Sequence, residues 1–208
     1  MLIGCVVTMA LFASPAAAQS ADGCQLQGTA SFSPGLNTSS RPFSYGFTGN
    51  LTGCQTSESG DPTSGTVTAG QTLTEHVTNS ITGATDTVSY QEPLATGTGG
   101  CTSSTTNGKA ITTWADGSTT VLTYSTSGTA AAVQLSGNVI SGIELTAVNA
   151  QTGDPTNYLV STTRYMQNSA TGALAFQPPD PTACNTAAGV TTAAISGGIN
   201  LDESGYVF

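Results

Sequence analysis

Charge is scarce in this sequence. Asp, Glu, Lys and Arg make up 7% of the 208 residues, against about 25% in an ordinary globular domain. Only three of them are basic, and the formal net charge is -9. A surface without Lys and Arg clusters cannot neutralise phosphates, which excludes nucleic acid as a partner. The same deficit sets the mature chain against an anionic membrane surface. The sequence is not a disordered one, because disorder pairs low hydrophobicity with high net charge per residue, and here 38% of the residues are hydrophobic.

Histidine and tryptophan are nearly absent too, one of each. His76, in QTLTEHVTNS, is the single imidazole, so any serine triad would have to be built on it. There is no G-x-S-x-G elbow, and Asp202-Glu203-Ser204-Gly205 does not replace one. His76 therefore reads as an exposed strand residue. Paired carboxylates for glycoside hydrolysis can be drawn from any twelve acids, but no pair is marked by spacing. There is no D-x-D-x-D loop, and Asp61, Asp154 and Asp180 each precede a proline in turn-like contexts. Lys109, the only lysine, follows Asn107-Gly108 in an expected turn, which leaves no buried partner for an intramolecular Lys-Asn bond. No catalytic residue, metal ligand or cofactor site is assigned from the sequence.

The N-terminus reads MLIGCVVTMALFASPAAAQS. An apolar run from Leu2 to about Phe12, then Ala16-Ala17-Ala18, matches the h-region and A-x-A site of a secretory signal spanning residues 1–18. The run falls short of the ~20 apolar residues of a membrane-spanning helix. Leu2-Ile3-Gly4-Cys5 precedes the run rather than following it, so it is not a lipoprotein box, and Cys5 leaves with the signal. The mature chain, residues 19–208, is read as one secreted domain that can be divided into lobes at 24–92 and 99–208 by PLATGTGG.

Loss of Cys5 leaves Cys24, Cys54, Cys101 and Cys184. An even number in an exported chain without CxxC spacing argues for two disulfides. A hairpin formed by Gln25–Ser33 and Phe43–Gly53 around PGLNTSSRP sets Cys24 opposite Cys54, which leaves Cys101 for Cys184. On the loop-entropy account these bridges contribute roughly 3.5 and 4.5 kcal/mol.

The apolar period is two along nearly the whole mature chain, with no helical stripe. Expected strands are 25–33, 43–53, 65–77, 85–91, 110–115, 118–125, 131–139, 142–149, 157–165, 172–177 and 190–201. TWADGSTT is the clearest hairpin, with Asp116-Gly117 supplying the positive φ of a tight turn. The fold class is all-β, an antiparallel sandwich or barrel. A weak echo, Gly-Asp-Pro-Thr at 60–63 and 153–156, is explained by turn chemistry.

The stretch FSYGFTGNLTGC places Phe43, Tyr45, Phe47 and Leu51 on one face and polar or small residues on the other, the pattern of a half-buried strand. With Phe32, Trp114, Tyr124, Tyr158 and Phe176 it supplies the aromatic core. Ligand-holding barrels of the streptavidin kind share the Thr and Gly richness but use several tryptophans, so the lone Trp argues against a ligand cavity. CQLQGTASFSPGL, FSYGFTGNLTGCQ, SGTVTAG and FQPPDPTACNTAAGVTTA together make the mature chain resemble a family of small secreted β-rich proteins of high-GC Gram-positive (actinobacterial) bacteria. That resemblance implies an extracellular β-protein and assigns no site.

The expected function is a secreted, nonenzymatic interaction module. It would bind a protein partner, itself, a surface glycan or the cell envelope through strand edges and loops, for example as a subunit of an extracellular complex. The competing expectation is a secreted hydrolase with an acidic or His76-dependent site.

Overall fold

The computed structural model of the protein describes residues 22–55 and 60–202. The expected signal and its cleavage site lie outside the described residues. Thirteen strands and one 3-10 turn, Pro181–Asn185, make up the regular structure. The strands are β1 (Asp22–Leu36), β2 (Arg41–Gln55), β3 (Gly65–Ala69), β4 (Thr72–Thr78), β5 (Thr85–Gln91), β6 (Ala95–Gly99), β7 (Ser103–Trp114), β8 (Thr119–Thr129), β9 (Ala132–Ile140), β10 (Gly142–Ala147), β11 (Asn157–Ser161), β12 (Ser169–Gln177) and β13 (Val190–Asp202).

Nine of them close into an eight-position antiparallel barrel, in the order β1, β13, β12, β9, β8, β7, β3, β2 and back to β1. The ninth, β6, shares a position with β3. Both lie between β2 and β7, with β3 pairing Phe47–Leu51 and β6 pairing Arg41–Tyr45. The chain leaves the barrel after β3, forms β4 and β5, and returns as β6. Glu92 stitches this junction, since its backbone N–H donates to the Gln71 carbonyl at 2.9 Å. Its carboxylate accepts from Thr68 Oγ1 at 2.6 Å and from the Gln71 N–H at 3.1 Å.

A second departure, between β9 and β12, forms β10 and β11. The four excursion strands make a half-barrel sheet in the order β11, β10, β5, β4. Its apolar face carries Val88, Tyr90, Ile143, Leu145 and Val160 and packs on Ile111 and Val121, which face outward from β7 and β8. That explains why Ala110, Ile111 and Thr112 are all buried in succession: β7 is covered on both faces there. Burying Val121 completely is worth about 1.5–3 kcal/mol relative to an exposed position.

Several expectations need correction. The segment read as one strand, 65–77, breaks at Gly70-Gln71 into β3 and β4 because the chain changes sheets there. Residues 93–100, read as a divider, contain β6, hydrogen-bonded to β2 and β7. Asn107-Gly108-Lys109 is not a turn. It lies inside β7 opposite Thr123–Ser125, and Lys109 is exposed. The expected strand to Tyr165 ends at Ser161. At Trp114–Thr119 the hairpin forms as expected, but only Gly117 takes positive φ, at 82°. Asp116 instead ties the turn by accepting from the Ser118 N–H at 2.9 Å.

The bridges are Cys24–Cys54 and Cys101–Cys184. Disulfides of this kind persist outside the reducing cytoplasm. Among the described residues no helix is long and apolar enough to cross a membrane.

Candidate functional site

Eight strands leave a barrel interior just wide enough to be filled by side chains or to hold one small ligand. Here the filling is incomplete. The lumen contains a cavity of about 150 Å³, because one strand sends in large residues and another only small ones. β2 sends in Phe43, Tyr45, Phe47 and Leu51, while β7 sends in Ser104, Thr106, Ala110 and Thr112. Gly108 also faces inward, where a Cβ would stand 2.7 Å from the Tyr124 hydroxyl. The glycine is what lets that ring lie flat across β7.

One wall is aromatic. Phe32 packs edge-on to Phe43 at 6.0 Å and touches Tyr45 at 5.7 Å and Phe176 at 5.9 Å. The facing wall, β7 and β8, is lined with hydroxyls. Tyr45 bonds Tyr124 at 2.8 Å and Thr106 at 3.1 Å, and Thr106 bonds Thr126 at 2.7 Å. Trp114, 3% exposed, donates its indole N–H to Thr120 at 2.9 Å. Burial pushes the phenols of Tyr45 and Tyr124 above the ordinary tyrosine range, so both stay protonated at any physiological pH. Among the described residues no Asp, Glu, Lys, Arg or His lines this cavity.

Both ends of the barrel are tied. At one end the Cys101–Cys184 bridge joins the β6–β7 turn to the segment before β13, while Cys101 N–H donates to the Asn37 carbonyl at 2.8 Å. Arg41 donates there to the Gly35 carbonyl at 2.5 Å, and its buried Nε has no partner among the described residues. At the other end Arg164 pairs with Asp61, and with Asp116 at 2.8 Å. Tyr165 stands edge-on to Trp114 at 5.2 Å. The cavity nonetheless reaches solvent, since the inward-facing Val133, Leu135, Phe176 and Ile195 are only half-buried.

The residues singled out from the sequence lie elsewhere. His76 is exposed on β4, bonded to Thr87 Oγ1 at 3.2 Å. Asp180 caps the 3-10 turn by accepting from the Thr182 N–H at 2.8 Å. Asp154 accepts from the Gln151 N–H at 2.9 Å and from the Asn79 amide at 2.8 Å, joining two loops of the small sheet. Among the described residues no group of three or more His, Cys, Asp and Glu side chains is placed to hold a metal. The structure places the aromatic stripe of β2 on the inner face of its strand, as expected, but against a cavity. Counting tryptophans missed that cavity because Phe, Tyr and Leu line it. The inward threonines of β7 and β8 were indistinguishable in sequence from their outward neighbours.

No protein-family model, curated protein or solved structure matches the chain.

Proposed function

We propose that the protein is a secreted, nonenzymatic binding protein that holds a small apolar molecule inside its barrel. One observation carries this reading: a solvent-connected cavity of about 150 Å³ whose lining is apolar apart from hydroxyls. A cavity of about that size has room for a benzene-sized guest. Acid-base chemistry requires groups that gain and lose protons near neutrality, and the titratable groups among the described lining residues are phenols held protonated. The apolar leader and the two disulfides support export.

Trp114 is the only tryptophan and lines the cavity, so its fluorescence reports occupancy directly. Titration with benzene-sized hydrocarbons changes Trp114 emission saturably if the lumen is the binding site. Absence of any saturable change, with calorimetry also silent, contradicts the proposal.

A second reading keeps the protein partner expected from strand edges. The barrel closes on itself, but β4 ends the half-barrel sheet, with Thr72–Thr78 paired on one side only among the described residues. A partner strand, from a second copy or a co-secreted protein, could add there through main-chain hydrogen bonds. Sedimentation of the mature protein tests it: a monomer at all concentrations, with no co-purifying protein, counts against β4 as a docking edge.

A further inference from the structure

The hydroxyls along the β7–β8 wall allow a proton count. Tyr124, Tyr45, Thr106 and Thr126 form an unbranched chain in that order, joined by bonds of 2.8, 3.1 and 2.7 Å. Each hydroxyl owns one proton and can accept from two donors. Four protons serve three bonds, so one proton is always left over. It resides on the one hydroxyl that accepts without donating, and a chain polarised in a single direction places it at an end, on Tyr124 or on Thr126. Among the described residues neither end hydroxyl has a further partner. All four residues line the cavity, Tyr124 buried and Thr126 half-buried, and a donor shielded from water without an acceptor is costly.

We infer that the lumen selects an uncharged, ring-sized apolar molecule carrying one acceptor oxygen, a ketone, ether or similar group, which takes the spare proton of this hydroxyl chain. The inference rests on the lumen being the binding site. A carboxylate is disfavoured, because among the described residues no basic side chain lines the cavity to compensate its desolvation. An ammonium finds no carboxylate there for the same reason. Hydrogen bonds in a chain polarise one another, so the end hydroxyl donates more strongly than an isolated one. The guest's apolar body lies against Phe47, Leu122 and Trp114, which line the rest of the cavity.

The test uses cyclohexanone and its hydrocarbon isostere methylenecyclohexane, titrated by calorimetry into the mature protein and into Tyr124→Phe and Thr126→Val. Both substitutions keep side-chain shape, and unchanged thermal unfolding of either would show that it folds. The ketone binds the unmodified protein more tightly than its transfer from water to alkane accounts for. One of the two variants then weakens the ketone about 3- to 10-fold and leaves the hydrocarbon unaffected, because its spare proton has moved one hydroxyl further along the chain. A ketone that merely follows its partitioning, or that both variants bind as well as the unmodified protein does, overturns the inference; hydrocarbon binding in that case leaves the lumen reading standing. Tighter binding of cyclohexanecarboxylate or cyclohexylammonium than of the ketone also overturns it. If neither neutral probe binds, both readings fall.

Discussion

Replacing Ala110 by Leu decides whether the barrel is hollow. Ala110 sits on β7 opposite Leu122, faces the lumen and is 7% exposed. Leucine adds three carbons. In a core already packed to native density such an insertion forces neighbours aside and costs about 1–3 kcal/mol. In a cavity of about 150 Å³ the new atoms find room. Burying three carbons at about 0.8 kcal/mol each, less about 0.5–1 kcal/mol of rotamer freedom, leaves a net gain of about 1.5 kcal/mol. For a chain of this length that is a rise in Tm of about 3–6 °C. Calorimetric unfolding at neutral pH, with the disulfides intact, reads the sign directly, and the same variant should lose affinity for lumen guests. A fall in Tm of several degrees means that the inward residues already fill the barrel, and the reasoning from cavity to ligand fails with it.

Three other outcomes follow from the structure. Removing the Cys101–Cys184 bridge by a double Cys→Ala change opens a loop closed over 83 positions and should lower stability by about 4.5 kcal/mol on the loop-entropy account, measured by urea unfolding; a loss below about 1 kcal/mol would show that the β6–β7 turn does not need the tie. Burial raises the carboxyl of Glu92 above its ordinary value of 4.5, against the opposing Thr68 and Gln71 hydrogen bonds. A group with a raised folded pKa binds more protons folded than unfolded, so stability is lost as pH rises from about that value through the folded one. Glu92→Gln should therefore be more stable than the unmodified protein at pH 7, with the advantage gone at pH 4, and an advantage independent of pH would contradict the assignment. Gly108→Ala places a Cβ 2.7 Å from both the Tyr124 hydroxyl and the Ala95 Cβ, which should cost about 1–3 kcal/mol in equilibrium unfolding; a neutral effect would mean that Tyr124 is free to move.

Much of the fold was legible because period-two patterning survives wherever one face is buried. β2 shows it clearly, with Phe43, Tyr45, Phe47 and Leu51 inside and Thr48, Asn50 and Thr52 exposed. The Cys24–Cys54 pairing was legible from the hairpin, although the observed register, with Leu26 opposite Leu51, brings the two cysteines together only through an irregularity between Gly23 and Gln25. β6 and the first half of β7 were illegible because TGTGG and SSTTNGK carry the composition of loops. Gly97 is a strand residue because the Phe43 ring lies against it, a Cβ there standing 2.6 Å from that ring. A residue whose role is to make room for a side chain on another strand leaves no local signal. The cavity was hidden for a related reason. It is a difference between the volume that eight strands enclose and the volume their inward side chains fill, and no single residue records it. The double covering of Ile111 and Val121 was equally hidden, since only the return of the excursion strands buries their outer face.

Diffraction from crystals pressurised with xenon decides whether the barrel encloses an accessible apolar space. Xenon enters dry apolar cavities of this size. The account predicts a xenon site inside the barrel, in contact with Phe47, Leu122 and Trp114. Crystals that take up xenon only on the outer surface, with side chains filling the lumen, would contradict it.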